Sequence, residues 1–276
     1  MKKIIESQST RNLEVNNDFK AKAASSTRKN LSRVGFWAAL LTSIIAVASL
    51  VIGFATPARA GPLAQPGSVI PYPYTNAASF IPTDYIWLYP GFFSALIFVV
   101  LMTCIHRQAS EDKKIFSQVG LSFALIYAVA ITTDYFIQLA VVQPSILSGE
   151  TSGLSLFTMY NPHGIFLAIE SLGYLMMSVA LLFAAAVFAK GRVERAIRWL
   201  FVTSFVLAIG SLAGFSLLGY DIIAFEVTIL TINWIVLIVS GALLSIIFKR
   251  AGSTSQGILR KELDQVKQGV SKEEVN

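Results

Sequence analysis

The chain has 276 residues, of which 54% are hydrophobic and 14% are charged, whereas an average soluble domain has about 45–50% and about 25%. This composition excludes an ordinary water-soluble fold. The single cysteine excludes an intrachain disulfide and a cysteine-rich zinc or iron–sulfur site, and two histidines exclude most multi-histidine metal centres. The formal net charge of +6 would be compatible with nucleic-acid binding if the basic residues formed one patch. They do not form one patch in the sequence.

Apolar runs long enough to cross a membrane occur six times. A hydrocarbon core about 30 Å thick needs about 20 helical residues. Backbone amides in lipid have no water to bond, so such runs must be helices or barrel strands, and barrel strands would be short alternating segments. The sequence therefore predicts an all-α, multi-pass bundle in the cell membrane. The predicted spans are 34–55, 86–105, 116–142, 165–189, 196–218 and 222–248.

The basic residues predict the orientation of this bundle. Lys and Arg accumulate on the cytoplasmic side, and 21 of the 22 lie in the two terminal segments, in the connections after spans two and four, and at the inner start of span five (Arg198), with Arg59 as the exception. Both termini are therefore expected in the cytoplasm. Such basic clusters bind anionic headgroups at about 1 kcal/mol per residue, so they predict contact with the lipid bilayer and no nucleic-acid partner.

Composition divides the chain into three segments. Residues 1–33 are polar and lack apolar periodicity, which predicts a disordered basic cytoplasmic tail. Residues 34–248 form the predicted six-helix transmembrane bundle. Residues 249–276 form a second cytoplasmic tail. Its apolar residues suit a short amphipathic helix on the membrane or against a partner, or a frayed solvated helix; they are Leu259, Leu263, Val266 and Val270.

The first span is followed by Ala58-Arg59-Ala60, a sequence of the kind that signal peptidase cuts after. Cleavage would leave Gly61 as an outside N-terminus and five spans. The apolar stretch of about 22 residues is longer than the 7–15 residues of a signal-peptide core. We therefore expect an uncleaved first helix.

The outer connections carry local signals. Asn161 followed by Pro162 predicts a helix start, and the apolar piece at 154–160 either lies flat on the membrane or folds over the bundle as a lid. Aromatic residues at the start of span two are typical of an interfacial belt; they are Tyr85, Trp87 and Tyr89.

A small-residue motif in span five, Gly210 and Gly214, lets another helix approach closely. The approaching helix either belongs to the same chain or to a second copy. The motif therefore predicts tight packing within the chain and is compatible with an oligomer.

Three acidic residues lie within predicted spans: Asp134, Glu170 and Glu226. Burying a charge in a membrane costs about 2.5–3.5 kcal/mol and requires a partner or a wet cavity. Span three runs outward, which places Asp134 near its outer end, and spans four and six run inward, which places Glu170 and Glu226 near their outer starts. All three acids are therefore expected in the outer part of the membrane.

Each acid shares a helix face with polar neighbours, because residues seven apart differ by only about 20° around the helix axis. The three polar stripes predict an outward-facing acidic pocket. In the alternative, Glu170 and Glu226 reach headgroups, and Asp134, Gln138 and Tyr127 bond helices together at about 0.6 kcal/mol on average. The predicted neighbours are Tyr127 and Gln138 for Asp134, His163 and Tyr174 for Glu170, and Asn233 for Glu226.

No Lys or Arg accompanies these acids in the outer parts of the spans, so their natural partner is a cation or a proton. This favours a cation- or proton-linked small-solute transporter or a ligand-binding protein. One alternative is a membrane-embedded enzyme in which His163 and the carboxylates hold a divalent metal, although no His-Glu-x-x-His spacing is present. Another is a non-catalytic sensor or assembly partner. No cofactor fingerprint occurs, and no cofactor is predicted.

Overall fold

The computed structural model describes residues 2–60, 64, 66–150, 152–219 and 221–273. All of the regular elements in these residues are helical, which confirms the all-α prediction. The α-helices are α1 (Lys2–Ala55), α2 (Leu88–Gln108), α3 (Lys114–Ile137), α4 (Gln143–Leu147), α5 (Ile165–Ala184), α6 (Arg192–Leu218) and α7 (Ile222–Glu273). A π-helical segment, Gln138–Val142, joins α3 to α4. Short 3-10 helices occupy Thr75–Phe80, Thr83–Tyr85, Glu111–Lys113, Leu154–Leu156 and Ala185–Val187.

Six helical stretches in the described chain are long and apolar enough to cross a membrane, which confirms the six-span architecture. They are Ser26–Ala55, Thr83–Gln108, Glu111–Leu147, Ile165–Val187, Arg192–Leu218 and Ile222–Ser253. The chain is therefore a multi-pass membrane protein whose environment is a lipid bilayer. The cytoplasmic placement of both termini and the choice of the cell membrane stay predictions.

The terminal helices extend beyond the predicted spans. Helix α1 begins at Lys2 and α7 ends at Glu273, so the backbone is helical in both segments for which the sequence predicts tails. The division of the chain at residues 33 and 249 stays a prediction. The side chains that would form the amphipathic face of the second tail lie outside the described part of the chain; they are those of Leu259, Leu263, Val266 and Val270.

Chain contacts divide the protein into two compact units. The larger unit, Ala38–Leu244, contains α2 to α6 with the adjoining parts of α1 and α7. The smaller unit consists of the part of α1 up to Trp37 and the part of α7 from Ser245 onward.

In the larger unit, α5 is the central helix and packs against α3, α6 and α7. Helices α3 and α5 are antiparallel and approach closely near Gly120, where an added Cβ would lie 2.9 Å from the Ala180 carbonyl oxygen. A side chain at this position would force the two backbones apart. Further along the same interface the Tyr127 and Tyr174 rings meet at 5.8 Å, so the acids of α3 and α5 come to the same level.

Candidate functional site: a buried carboxyl cluster

Three helices bring Asp134, Glu170 and Glu226 together. The Glu170 and Glu226 carboxyl groups lie close enough to interact directly, and Asp134 lies within electrostatic range of both. The antiparallel α3–α5 pair and the parallel α5–α7 pair place all three acids at one level of the larger unit. We call these three residues the carboxyl cluster.

The carboxyl cluster is enclosed, whereas the sequence predicts a pocket open to the outside. The side chains of Asp134, Glu170 and Glu226 are 2%, 2% and 6% exposed. Aromatic packing explains the closure, because the Trp87 ring contacts the rings of Tyr135 at 5.4 Å and Phe166 at 6.3 Å. Tyr135 in turn binds Glu170. The structure therefore shows a closed site.

Each glutamate of the cluster accepts a hydrogen bond from a neutral hydroxyl. Tyr135 donates to Oε1 of Glu170, and Ser171 donates to Oε2 of Glu226. The ion pairs found among the described residues all lie elsewhere in the chain. Two further oxygens, Asp134 Oδ2 and Glu226 Oε1, are buried without a hydrogen-bond partner in the described structure. Buried polar atoms nearly always have a partner, so these oxygens mark where a proton or cation can be held.

The hydrogen bonds continue beyond Glu170. The hydroxyls of Tyr135 and Tyr174 lie 3.3 Å apart, and the Trp234 indole N–H donates to the Tyr174 hydroxyl at 3.2 Å. The sequence places Tyr127 and Tyr174 beside the acids. In the structure Tyr174 reaches Glu170 through Tyr135, and the Tyr127 ring packs on Tyr174 and on Phe98.

Asn233, the predicted neighbour of Glu226, connects two helices. Its Oδ1 accepts a hydrogen bond from the Ser178 hydroxyl at 3.0 Å, and its Nδ2 donates to the Ile229 carbonyl at 2.8 Å. The bond to Ser178 joins α7 to α5, and the bond to Ile229 lies within α7. Asn233 therefore bonds the two helices together.

Gln138, the predicted neighbour of Asp134, holds the loop between α4 and α5. Its Nε2 donates to the Phe157 carbonyl at 2.6 Å, and its Oε1 accepts from the Met159 backbone N–H at 3.2 Å. Thr158 and Tyr160 in the same loop are 1% and 3% exposed. Of the two alternatives for residues 154–160, the structure shows the loop folded against the helices. Gln138 begins the π-helical segment, a local feature frequent at functional sites.

His163 is not part of the cluster. Helix α5 begins at Ile165 with Gly164 as its extended N-cap, so the predicted start at Asn161 and Pro162 is wrong. Asn161 instead organises a turn, accepting the His163 backbone N–H at 2.9 Å. His163 precedes the helix and is exposed, and the seven-residue helical spacing to Glu170 does not apply to it. In the described residues no group of three or more His, Cys, Asp or Glu side chains could hold a metal ion.

No protein-family model, curated protein or solved structure matches this chain. The function is therefore argued from the chemistry of the site alone.

Sequence reasoning missed the closest partners of the acids. Tyr135 and Ser171 directly follow Asp134 and Glu170. Adjacent helical residues differ by about 100° around the axis, so a search for residues on the same face as each acid does not include them. Gly91 was also missed. An added Cβ there would lie 2.5 Å from Tyr135 Cε2, so Gly91 makes the space that the tyrosine ring occupies. The available signal was the presence of hydroxyl residues immediately next to two intramembrane acids.

A second charged site, also missed, joins the loop after α1 to the 3-10 helix that precedes α2. Arg59 forms two hydrogen bonds with Asp84, at 2.7 and 2.8 Å, and its guanidinium lies 3.9 Å from the centre of the Phe80 ring. The hydrogen bond to Asp84 raises the pKa of Arg59 above its usual value. Asp84 lies in the 3-10 helix Thr83–Tyr85 and is 1% exposed, so it is a buried ion-pair partner.

The same contacts bear on cleavage of the first span. The Ser68 hydroxyl donates to the Ala58 carbonyl at 2.8 Å, and the Ile70 N–H donates to the Arg59 carbonyl at 3.2 Å. Residues of the A-x-A sequence are therefore hydrogen-bonded within the loop after α1, and cleavage would remove the Arg59 ion pair. Gly61 lies outside the described residues, and the uncleaved helix stays a prediction.

The three aromatic residues of the predicted interfacial belt differ in burial. Tyr85 is 1% exposed and Tyr89 is 52% exposed, while Trp87 is half-buried against the cluster. Only Tyr89 has the exposure expected of a headgroup contact.

The two glycines of the small-residue motif in α6 have different surroundings. An added Cβ at Gly210 would meet no atom within 4 Å, whereas Gly214 is buried. An oligomer formed through Gly210 and Gly214 stays a prediction.

Proposed function

We propose that this protein is a proton- or cation-linked transporter of a small solute, and that the carboxyl cluster is the site where the coupling ion binds. The observation that supports this most directly is the contact between Glu170 and Glu226 in a buried position without a basic partner among the described residues. Two carboxylates that close together repel each other strongly in a medium of low dielectric constant. The pair is therefore stable when it holds one positive charge.

A proton fits this arrangement better than a divalent metal. Tyr135 and Ser171 are neutral hydroxyl donors that already occupy one oxygen of each glutamate, which leaves few oxygens for coordination. Ca²⁺ takes 6–8 oxygen ligands, whereas a proton needs one acceptor and one neighbouring oxygen. The unpartnered Glu226 Oε1 is an atom on which such a proton can reside.

Charge at the cluster provides the coupling. With one proton bound, the Glu170–Glu226 pair carries one negative charge instead of two, and the site remains closed beneath Trp87, Tyr135 and Phe166. Loss of that proton places a second negative charge on the buried pair, and a buried charge costs about 2.5–3.5 kcal/mol in a membrane span. That penalty favours a conformation in which water or a solute reaches the cluster, and a ligand with different affinity for the two conformations shifts their populations.

Thermal melts of the purified protein across pH values and a panel of alkali and divalent ions test this proposal. A bound ion stabilises the fold by RT ln(1 + [L]/Kd). Asp134→Asn and Glu170→Gln should each change the response, and the double variant should be non-additive by about 0.5–3 kcal/mol, as neighbouring groups are. Glu150→Gln, which neutralises an exposed acid, is the matched control. His163→Ala should keep the response, because His163 lies away from the site.

Proteoliposomes with a lumenal pH-sensitive dye test transport itself. Amino acids, sugars and alkali cations are added one class at a time under an imposed pH gradient. We expect one class to move protons through the wild type and the Glu150→Gln control but not through Glu170→Gln. Unaltered melts in all the acid variants, without dependence on any ion or on pH, would contradict the proposal and leave a structural or partner-binding role.

A further inference from the structure

A cavity of about 440 Å³ lies within the smaller unit, between the N-terminal part of α1 and the C-terminal part of α7. Its volume is within the range of about 300–1,000 Å³ typical of small-ligand sites. Residues of both helices form its wall. They include Lys29, Ser32, Arg33, Phe36, Phe248 and Lys249.

Three cationic side chains converge on this cavity. Lys29 and Arg33 are four residues apart and therefore lie on one face of α1, and Lys249 faces them from α7. The ion pairs between described side chains do not involve any of the three. A guanidinium, two ammonium groups and the hydroxyl of Ser32 together form a donor set that suits a phosphate group.

The other end of the cavity is apolar. Phe248 is fully buried, and its ring lies against Gly35, where an added Cβ would lie 2.4 Å from Phe248 Cδ1. In the sequence, the apolar run of span one begins at Val34 and that of span six ends at Phe248. The boundary between charged and apolar sequence therefore passes through the cavity, as it does at the level of lipid headgroups.

We infer that this cavity binds the phosphate headgroup of an anionic membrane lipid. Basic pockets between transmembrane helices are a recognised form of acidic-lipid site, and here the phosphate faces Lys29, Arg33 and Lys249. The half-buried Phe36 faces the glycerol backbone and acyl chains. A soluble phosphate has no apolar group that could contact the apolar end of the cavity. The lipid bridges α1 and α7 and thereby stabilises the smaller unit, independently of the carboxyl cluster.

Native mass spectrometry and thermal melts of the full-length protein in detergent test this inference. The probes are phosphatidylglycerol, phosphatidylcholine and soluble glycerol phosphate. We expect phosphatidylglycerol to bind more tightly than the other two and to raise the melting temperature. Arg33→Gln and Lys249→Gln should each lower its affinity about fivefold, the equivalent of one basic contact. Arg198→Gln, which removes an exposed cation of α6 outside the cavity, is the matched control.

Three outcomes would overturn the inference. Equal losses in Arg33→Gln and Arg198→Gln would show diffuse attraction of the whole basic surface. Equal affinity for phosphatidylglycerol and phosphatidylcholine would show that the site does not distinguish an anionic headgroup from a zwitterionic one. Binding of glycerol phosphate as tightly as phosphatidylglycerol would assign the cavity to a soluble ligand. If Arg33→Gln melts early without lipid, Lys29→Gln and Lys249→Gln provide the same comparison on folded protein.

Discussion

The position of Tyr135 depends on the absence of a side chain at Gly91. A Cβ added to Gly91 would lie 2.5 Å from Tyr135 Cε2, far inside the optimal carbon–carbon separation of about 3.5–4.0 Å. The Tyr135 ring cannot move away freely, because it packs against Trp87 at 5.4 Å and Phe166 at 6.1 Å. Gly91→Ala should therefore displace the tyrosine hydroxyl from Glu170.

The expected cost of Gly91→Ala combines three effects. Overpacking a tight site costs about 1–3 kcal/mol, and loss of an interhelical hydrogen bond in a membrane costs about 0.6, at most about 1.7 kcal/mol. The replacement of Gly by Ala in a helix returns about 1 kcal/mol. The net destabilisation should therefore be roughly 1–4 kcal/mol.

Denaturant unfolding of the protein in detergent micelles, followed by helical circular dichroism, measures this cost. Gly210→Ala is the matched control, because its Cβ meets no atom within 4 Å, and it should be neutral or slightly stabilising. In a Tyr135→Leu background, which removes the ring, Gly91→Ala should lose most of its cost. If Gly91→Ala and Gly210→Ala have equal stability in the wild-type background, the placement of Tyr135 over Gly91 is refuted.

Two further predictions concern the outer loop and the orientation. Arg59→Gln should lower the stability measured in thermal melts by about 3–5 kcal/mol, because it leaves Asp84 buried without its partner, and replacing both residues by Met and Leu should recover most of the loss; an unaltered melt in Arg59→Gln would contradict this. In a cysteine-free background, single cysteines at Ser68 and Ser152 should react with an impermeant thiol reagent from outside. A cysteine at Ser253 should react only after permeabilisation, and labelling of Ser253 from outside would reverse the predicted orientation.

The six spans could be predicted because the physical requirement is local. A helix in lipid must satisfy its own backbone and present about 20 apolar residues, and both properties are read from consecutive residues. The depth of Asp134, Glu170 and Glu226 follows from the same counting along each helix. The predicted helix start at Asn161 was wrong because the Asn side chain and backbone can satisfy a turn as well as a helix terminus.

Closure of the site and its exact partners could not be predicted, because they depend on which residues of different helices meet. The Arg59–Asp84 pair joins residues 25 positions apart, and the local sequence around either residue does not indicate the other. Gln138 lies on the predicted stripe of Asp134, yet its amide is used by the loop at Phe157. Periodicity identifies the face of a helix but not the neighbour opposite that face.

The α5–α7 interface shows a pattern from which the hydrogen-bond partner of Glu226 could be recognised in the sequence. Ser171 meets Glu226 and Ser178 meets Asn233, each pair with the same offset of 55 residues. Both helices therefore carry polar residues seven positions apart. On α5 these are serines, and each lies opposite a larger polar side chain on α7. Equal spacing on both helices keeps the two pairs aligned, because the helices are parallel. Because Glu226 belongs both to this register and to the carboxyl cluster, a change in its protonation alters one of the hydrogen bonds between α7 and α5. In the proposed transporter, that bond connects the coupling ion to movement of the helix.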